Sequence, residues 1–143
     1  MGSRRISREL ALRALFQTDI GRAGIEEAVA SSDAQGRYSA ETLEFARELA
    51  LGTANHRDRI DRLIGKYARD WTMDRMANVD RNILRLAVFE LLYLPDIPLG
   101  VTVDEAVELA KKYSTAESGK FVNGILGNLV RNLDAEAAEP DTS

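Results

Sequence analysis

With 143 residues, 45% of them hydrophobic and 29% charged, the chain has the size and balance of one globular domain that can bury its own core. The lack of cysteine excludes a disulfide framework and thiolate metal sites. The start, Arg4-Arg5-Ile6-Ser7-Arg8-Glu9, is charged where a secretion signal would be apolar. No run is long and apolar enough to span a bilayer, so a cytoplasmic location is expected. The net charge of −4 is unevenly placed. After Leu133 come Asp134, Glu136, Glu139 and Asp141 and no basic residue, which predicts an acidic, disordered tail over 134–143. The rest, 1–133, holds 19 acidic against 19 basic residues, and a neutral body can still carry a local basic patch.

In chain order, Leu10, Ala11, Ala14, Leu15 and Thr18 predict a first helix over 7–20, broken by Gly21 and Gly24. A short helix follows over 25–31, then a loop over 32–38. Ser39 is placed as an N-cap, with Glu41 in the first turn where a carboxylate suits the helix dipole. From Leu43 to Tyr67 the apolar spacing stays helical, and Gly52 is expected to kink or interrupt it. Trp71-Thr72-Met73 opens a connector. The stretch Val79–Leu94 is the most apolar and is expected at the centre of the core. Pro95 and Pro98 force an exit, and Thr102-Val103-Asp104-Glu105 fits a capping box before the next helix. The last helix carries Phe121, Val122, Ile125, Leu126, Leu129 and Val130. No stretch alternates with period two. The expected fold is all-α, a single compact domain of about seven helices.

Three features bear on function. Arg4, Arg5 and Arg8 cluster at the basic start, where helix-dipole logic disfavours cations. Phosphate binding and a merely solvated terminus explain them equally well. The segment Lys120-Phe121-Val122-Asn123-Gly124 lies in a helix with three glycines, each costing about 1 kcal/mol relative to alanine. Close helix packing is the reading for Gly124. Lys120 and Asn123 suit a phosphate and a base edge. The aromatics Phe16, Tyr67, Tyr113 and Phe121 are stacking candidates, with core packing the competing reading for each. His56, alone among charged neighbours, reads as a solvated surface residue. Asp61, Asp80 and Glu90 read as ion-pair partners of nearby arginines rather than acid–base machinery. No phosphate loop, dinucleotide fingerprint, nucleophile elbow or metal-ligand spacing is present, so no enzyme, cofactor or metal is expected.

Four motifs in order carry a resemblance. They are Arg4 to Phe16; Trp71 with Val79-Asp80-Arg81-Asn82-Ile83-Leu84-Arg85-Leu86-Ala87 and Glu90-Leu91; Ile97-Pro98 with Asp104-Glu105-Ala106-Val107-Glu108-Leu109-Ala110-Lys111; and Lys120-Phe121-Val122-Asn123-Gly124-Ile125-Leu126. Together they resemble the NusB family along nearly the whole chain. Gly127 departs from the acidic residue many members carry there, and residues 22–40 and the acidic tail lie outside the match. The resemblance implies a non-catalytic transcription antitermination factor. Such a factor binds boxA-type single-stranded RNA together with a small-subunit ribosomal protein, called NusE in this role. It thereby supports an RNA polymerase antitermination complex on ribosomal RNA transcripts, and some members self-associate as dimers. On this reading the RNA surface comprises Arg4, Arg5, Arg8, Phe16, Lys111, Glu117, Lys120, Phe121 and Asn123. The protein partner would meet exposed polar positions of the central helix, Asp80, Arg81 and Glu90. Partner binding would enlarge the RNA platform and raise RNA affinity through coupling. Three rivals differ in kind. An RNA methyltransferase with a NusB-like domain would need a cofactor-binding sheet. A helix-turn-helix DNA regulator would need a basic second helix. A structural dimerisation module would bind no nucleic acid.

Overall fold

The computed structural model describes residues 2–20, 24–69 and 71–140. Among these it contains eight α-helices and one 3₁₀ turn, with no strand. Helix α1 (Gly2–Ile20) begins well before the expected 7–20 and carries Arg4 and Arg5 on its first turns. Its buried stripe is Leu10, Ala11, Leu12, Ala14 and Leu15. Helix α2 (Ile25–Ser31) tucks Ala28 and Val29 into the core. Ser39 caps α3 (Ala40–Asn55) as expected, its Oγ accepting the Thr42 N–H at 3.1 Å.

The long helical stretch breaks at His56, not at Gly52, separating α3 from α4 (Arg57–Ala68). Gly52 serves packing instead. A Cβ built there would lie 2.1 Å from Cζ of the buried Phe89, on the central helix. Gly52→Ala is therefore expected to destabilise the fold by about 1–3 kcal/mol, because a buried ring must move. A urea melt checks this; a change under about 0.5 kcal/mol would show that the ring relocates freely. Gly124 has the opposite environment. It is exposed, nothing lies within 4 Å of its Cβ position, and the expected close crossing there is absent. On that helix the close approach falls at the buried Gly119, where the Lys111 stem would lie 3.2 Å from a Cβ.

The 3₁₀ turn (Met73–Arg75) leads into the central α5 (Asn78–Tyr93), in which every residue from Asn82 to Leu91 is buried. Helix α6 (Leu99–Tyr113) starts directly after Pro98, whose fixed φ suits a helix entry. The expected capping box at Thr102–Glu105 is thus corrected. Thr102 sits one turn inside, buried, and donates to Glu90 Oε1 at 3.3 Å, while Glu105 turns to Arg5. Helix α7 (Ala116–Arg131) packs Val122, Ile125, Leu126 and Leu129 inward. Of the tail expected to be disordered over 134–143, residues 141–143 lie outside the described residues, and the rest is partly helical. Residues Leu133–Ala138 form α8, and Glu136 is buried in spite of its charge, because Lys66 and Tyr67 bind its carboxylate.

Candidate nucleic-acid interface

The corner between α6 and α7 organises the clearest site. Thr115 caps α7, its Oγ accepting the Ser118 N–H at 3.0 Å. The Ser118 hydroxyl donates to Asp80 Oδ2 at 2.9 Å, which ties the start of α7 to the first turn of α5. Asp80 is 7% exposed, and its other oxygen, Oδ1, is buried with no hydrogen-bond partner. Such an orphaned acceptor costs about 1–3 kcal/mol.

A cleft of about 460 Å³ opens beside it, lined by Trp71, Arg75, Met76, Ala77, Asp80, Glu117, Ser118 and Phe121. Trp71 is 47% exposed, a large apolar surface left to solvent. Its ring meets Phe121 edge-on, centroids 6.1 Å apart at 74°, and the Arg75 guanidinium lies 5.9 Å from the Trp71 centroid. Two aromatic rings and a cation form a place where a planar ring can stack. Lys120 and Asn123 are exposed on the same helix, Lys120 within 3.5 Å of Glu117.

A second strip runs between α1 and α6. Arg5 grips Glu105 with two bonds, 3.1 and 2.6 Å. The Arg5 hydrogen bond holds the Glu105 carboxyl below the usual carboxylate range, against the opposing effect of partial burial. Lys112 pairs with Glu9 at 2.7 Å, and Arg13 donates to the Tyr113 hydroxyl at 3.4 Å. Phe16 is half-buried one turn beyond Arg13, and Lys111 is exposed. Tyr113 continues into Ser114, whose Oγ is 2.9 Å from that of Ser118, so the strip joins the cleft at the α6–α7 corner. Arg4 points elsewhere. Its guanidinium stacks over Phe45 of α3, 4.2 Å from the centroid.

Several expected site residues prove to be interior. Arg8 is 4% exposed and clamped to Glu90, itself 2% exposed, by bonds of 2.8, 3.0 and 3.2 Å. Arg8 is therefore no flexible phosphate contact, and Glu90 is no surface for a partner. Asp80 is likewise buried. Arg81 is half-buried, donating to Asp19 at 2.8 Å and to the Met73 carbonyl at 2.9 Å. Burial opposes ionisation of Asp19, yet Asn82 and the cations Arg85, Arg81 and Arg57 hold its carboxyl below its ordinary value. Asp61 pairs with Arg85 at 2.8 Å, as anticipated. His56 is not a solvated residue; its ring stacks 4.1 Å from that of Tyr93. Sequence reasoning missed Trp71 and Arg75 as site residues. The available signal was a tryptophan just past the end of a helix, in a connector made mostly of charged and polar residues.

Among the described residues no helix is long and apolar enough to cross a membrane, and no acidic or histidine cluster could hold a metal ion. The NusB family model matches residues 5–131. The transcription antitermination protein NusB of Symbiobacterium thermophilum is 50% identical over 143 residues, covering 94% of each chain. That of Desulforamulus reducens is 47% identical over 134 residues, again covering 94% of each. Among solved structures, T. maritima NusB superposes with a TM-score of 0.82 at 42% identity, covering 90% of both chains. A chain from a crystal structure of antitermination factors NusB and NusE in complex with dsRNA has a TM-score of 0.83 at 30% identity. That match covers 92% of this chain and 98% of the other.

Proposed function

The chain belongs to the NusB family, and on that premise we propose that it is a non-catalytic RNA-binding antitermination factor. It holds boxA-type single-stranded RNA together with the ribosomal protein NusE, in the cytoplasm, on ribosomal RNA transcripts and as part of an RNA polymerase antitermination complex. The observation that carries the RNA reading is the Trp71–Phe121 cleft, where an exposed indole lies beside the Arg75 cation. An unstacked base fits it. One face stacks on the exposed Trp71 indole, and Phe121 meets the base edge-on. The strip of Arg5, Arg13, Lys111 and Lys112 tracks the phosphates, and Lys120 and Asn123 flank the cleft. The chemistry needs no transferred group and no cofactor.

The partner surface is moved from the central helix to the start of α6. There Leu99 and Val101 are 36% and 45% exposed, beside the exposed Pro98. Exposed aliphatic surface of this kind suits a protein partner better than RNA.

The deciding experiment titrates labelled boxA-like RNA, a scrambled RNA and duplex DNA, with and without NusE. The expected result is preference for the boxA-like RNA, strengthened by NusE and lost from that coupling alone in Val101→Glu. Arg5→Ala should weaken every RNA alike and reduce the salt slope by about 0.7. Equal binding to duplex DNA and both RNAs would overturn the reading.

A further inference from the structure

The basic face of α4 lies outside the interface described above. Arg59, Arg62 and Lys66 recur at helical spacing along one stripe, two turns or about 10 Å long. They line a groove of about 360 Å³ whose other wall is Glu136, Glu139 and Pro140. What fills this side of α4 is the chain's own acidic segment. Lys66 Nζ binds Glu136 Oε2 at 2.6 Å, and the Tyr67 hydroxyl donates to the same oxygen. The Arg59 guanidinium donates to the Glu136 carbonyl at 3.0 Å and to the Glu139 carbonyl at 2.7 Å. Arg62 is exposed and makes no ion pair among the described residues.

We infer that this face of α4 is a second anion-binding site, taking nucleic-acid phosphates, and that the acidic segment 133–140 occupies it as a displaceable strap. The strap presents only acceptor oxygens, a carboxylate and two carbonyls, to the cations of the stripe. Phosphate offers the same acceptor chemistry with more charge, and the fork of Arg62 stands open for it. The strap is also short. Helix α8 spans six residues, Leu133–Ala138, and is held by the buried Glu136 side chain, by the buried Arg59 at the Glu136 and Glu139 carbonyls, and by Leu133 against the core. Lys66 and Tyr67 hold the Glu136 carboxyl below its ordinary value, which favours the charged form that they bind. An RNA passing over α4 must compete with that carboxylate, which suppresses indiscriminate binding there. The inference is independent of the Trp71 cleft.

The test uses a labelled oligouridylate of no boxA sequence. Three proteins are compared: the full chain, the chain lacking 134–143, and Glu136→Ala. Binding is followed by anisotropy and by backbone amide chemical shifts. Both altered proteins should bind about five- to tenfold tighter than the full chain. New shifts should map to residues 59–67, and adding Arg62→Glu should abolish them. A Trp71→Ala background should leave the gain intact, which separates this site from the cleft. If the truncated chain melts without cooperativity, Glu136→Ala decides. Unchanged affinity, or shifts confined to α1 and α7, would overturn the inference.

Discussion

Arg8→Ala is expected to cost about 3–5 kcal/mol of folding stability, because it strands the Glu90 carboxylate in the interior. Both side chains are almost fully enclosed, and the Thr102 hydroxyl is the third member of the cluster. A surface arginine would cost no more than about 0.5 kcal/mol. At about 2–4 °C per kcal/mol for a chain near this size, the melting temperature should fall by about 6–20 °C. The double variant Arg8→Met with Glu90→Leu should recover most of the loss, since removing both charges also removes their desolvation penalty. RNA affinity per folded molecule should stay unchanged in that double variant. Thermal melts with RNA titrations decide. A mild loss of stability with a clear loss of RNA affinity would return Arg8 to the binding surface.

Trp71→Ala is expected to do the reverse, lowering RNA affinity while sparing the fold. Nearly half of the side chain is exposed, so its removal opens no enclosed cavity. Stacking of a base on an aromatic ring is worth about 1–3 kcal/mol, roughly five- to 150-fold in dissociation constant. Trp71 is the chain's single tryptophan, so its fluorescence reports occupancy of the cleft directly in the unaltered protein. Bound boxA-like RNA should quench it. Phe121→Ala should share the affinity loss but also cost some stability, since that ring is half-buried against the core. Wild-type affinity in Trp71→Ala, with unquenched emission in the parent, would place the bases elsewhere.

Much of the site was readable only as a set of residue types. Lys120, Asn123 and Phe121 were legible because helical phase puts Val122, Ile125, Leu126 and Leu129 inward and leaves those three outward or at the edge. The same phase argument failed on α5. That helix is enclosed by α1, α3, α4, α6 and α7, so its polar residues had no solvent face to occupy. Asp80, Arg81 and Glu90 therefore became partners of Ser118, Asp19 and Arg8, contacts 38, 62 and 82 residues apart in the chain.

By itself the sequence determined the all-helical class, the order of the elements, the Ser39 cap and the central place of α5, while the family shows in the resemblance of its four motifs. The structural features rest on local rules, namely apolar period, capping chemistry and proline, that act within a turn or two of the chain. The tertiary structure alone decided which charges are interior and which are free to meet a ligand. It turned Arg8 inward and left Trp71 outward, brought Arg75 over the indole, and laid the acidic segment on α4. The physical reason is that the cost of a charge depends on its whole surroundings. An arginine is stable in the core only where a distant carboxylate meets it, and that meeting is written in the packing of helices.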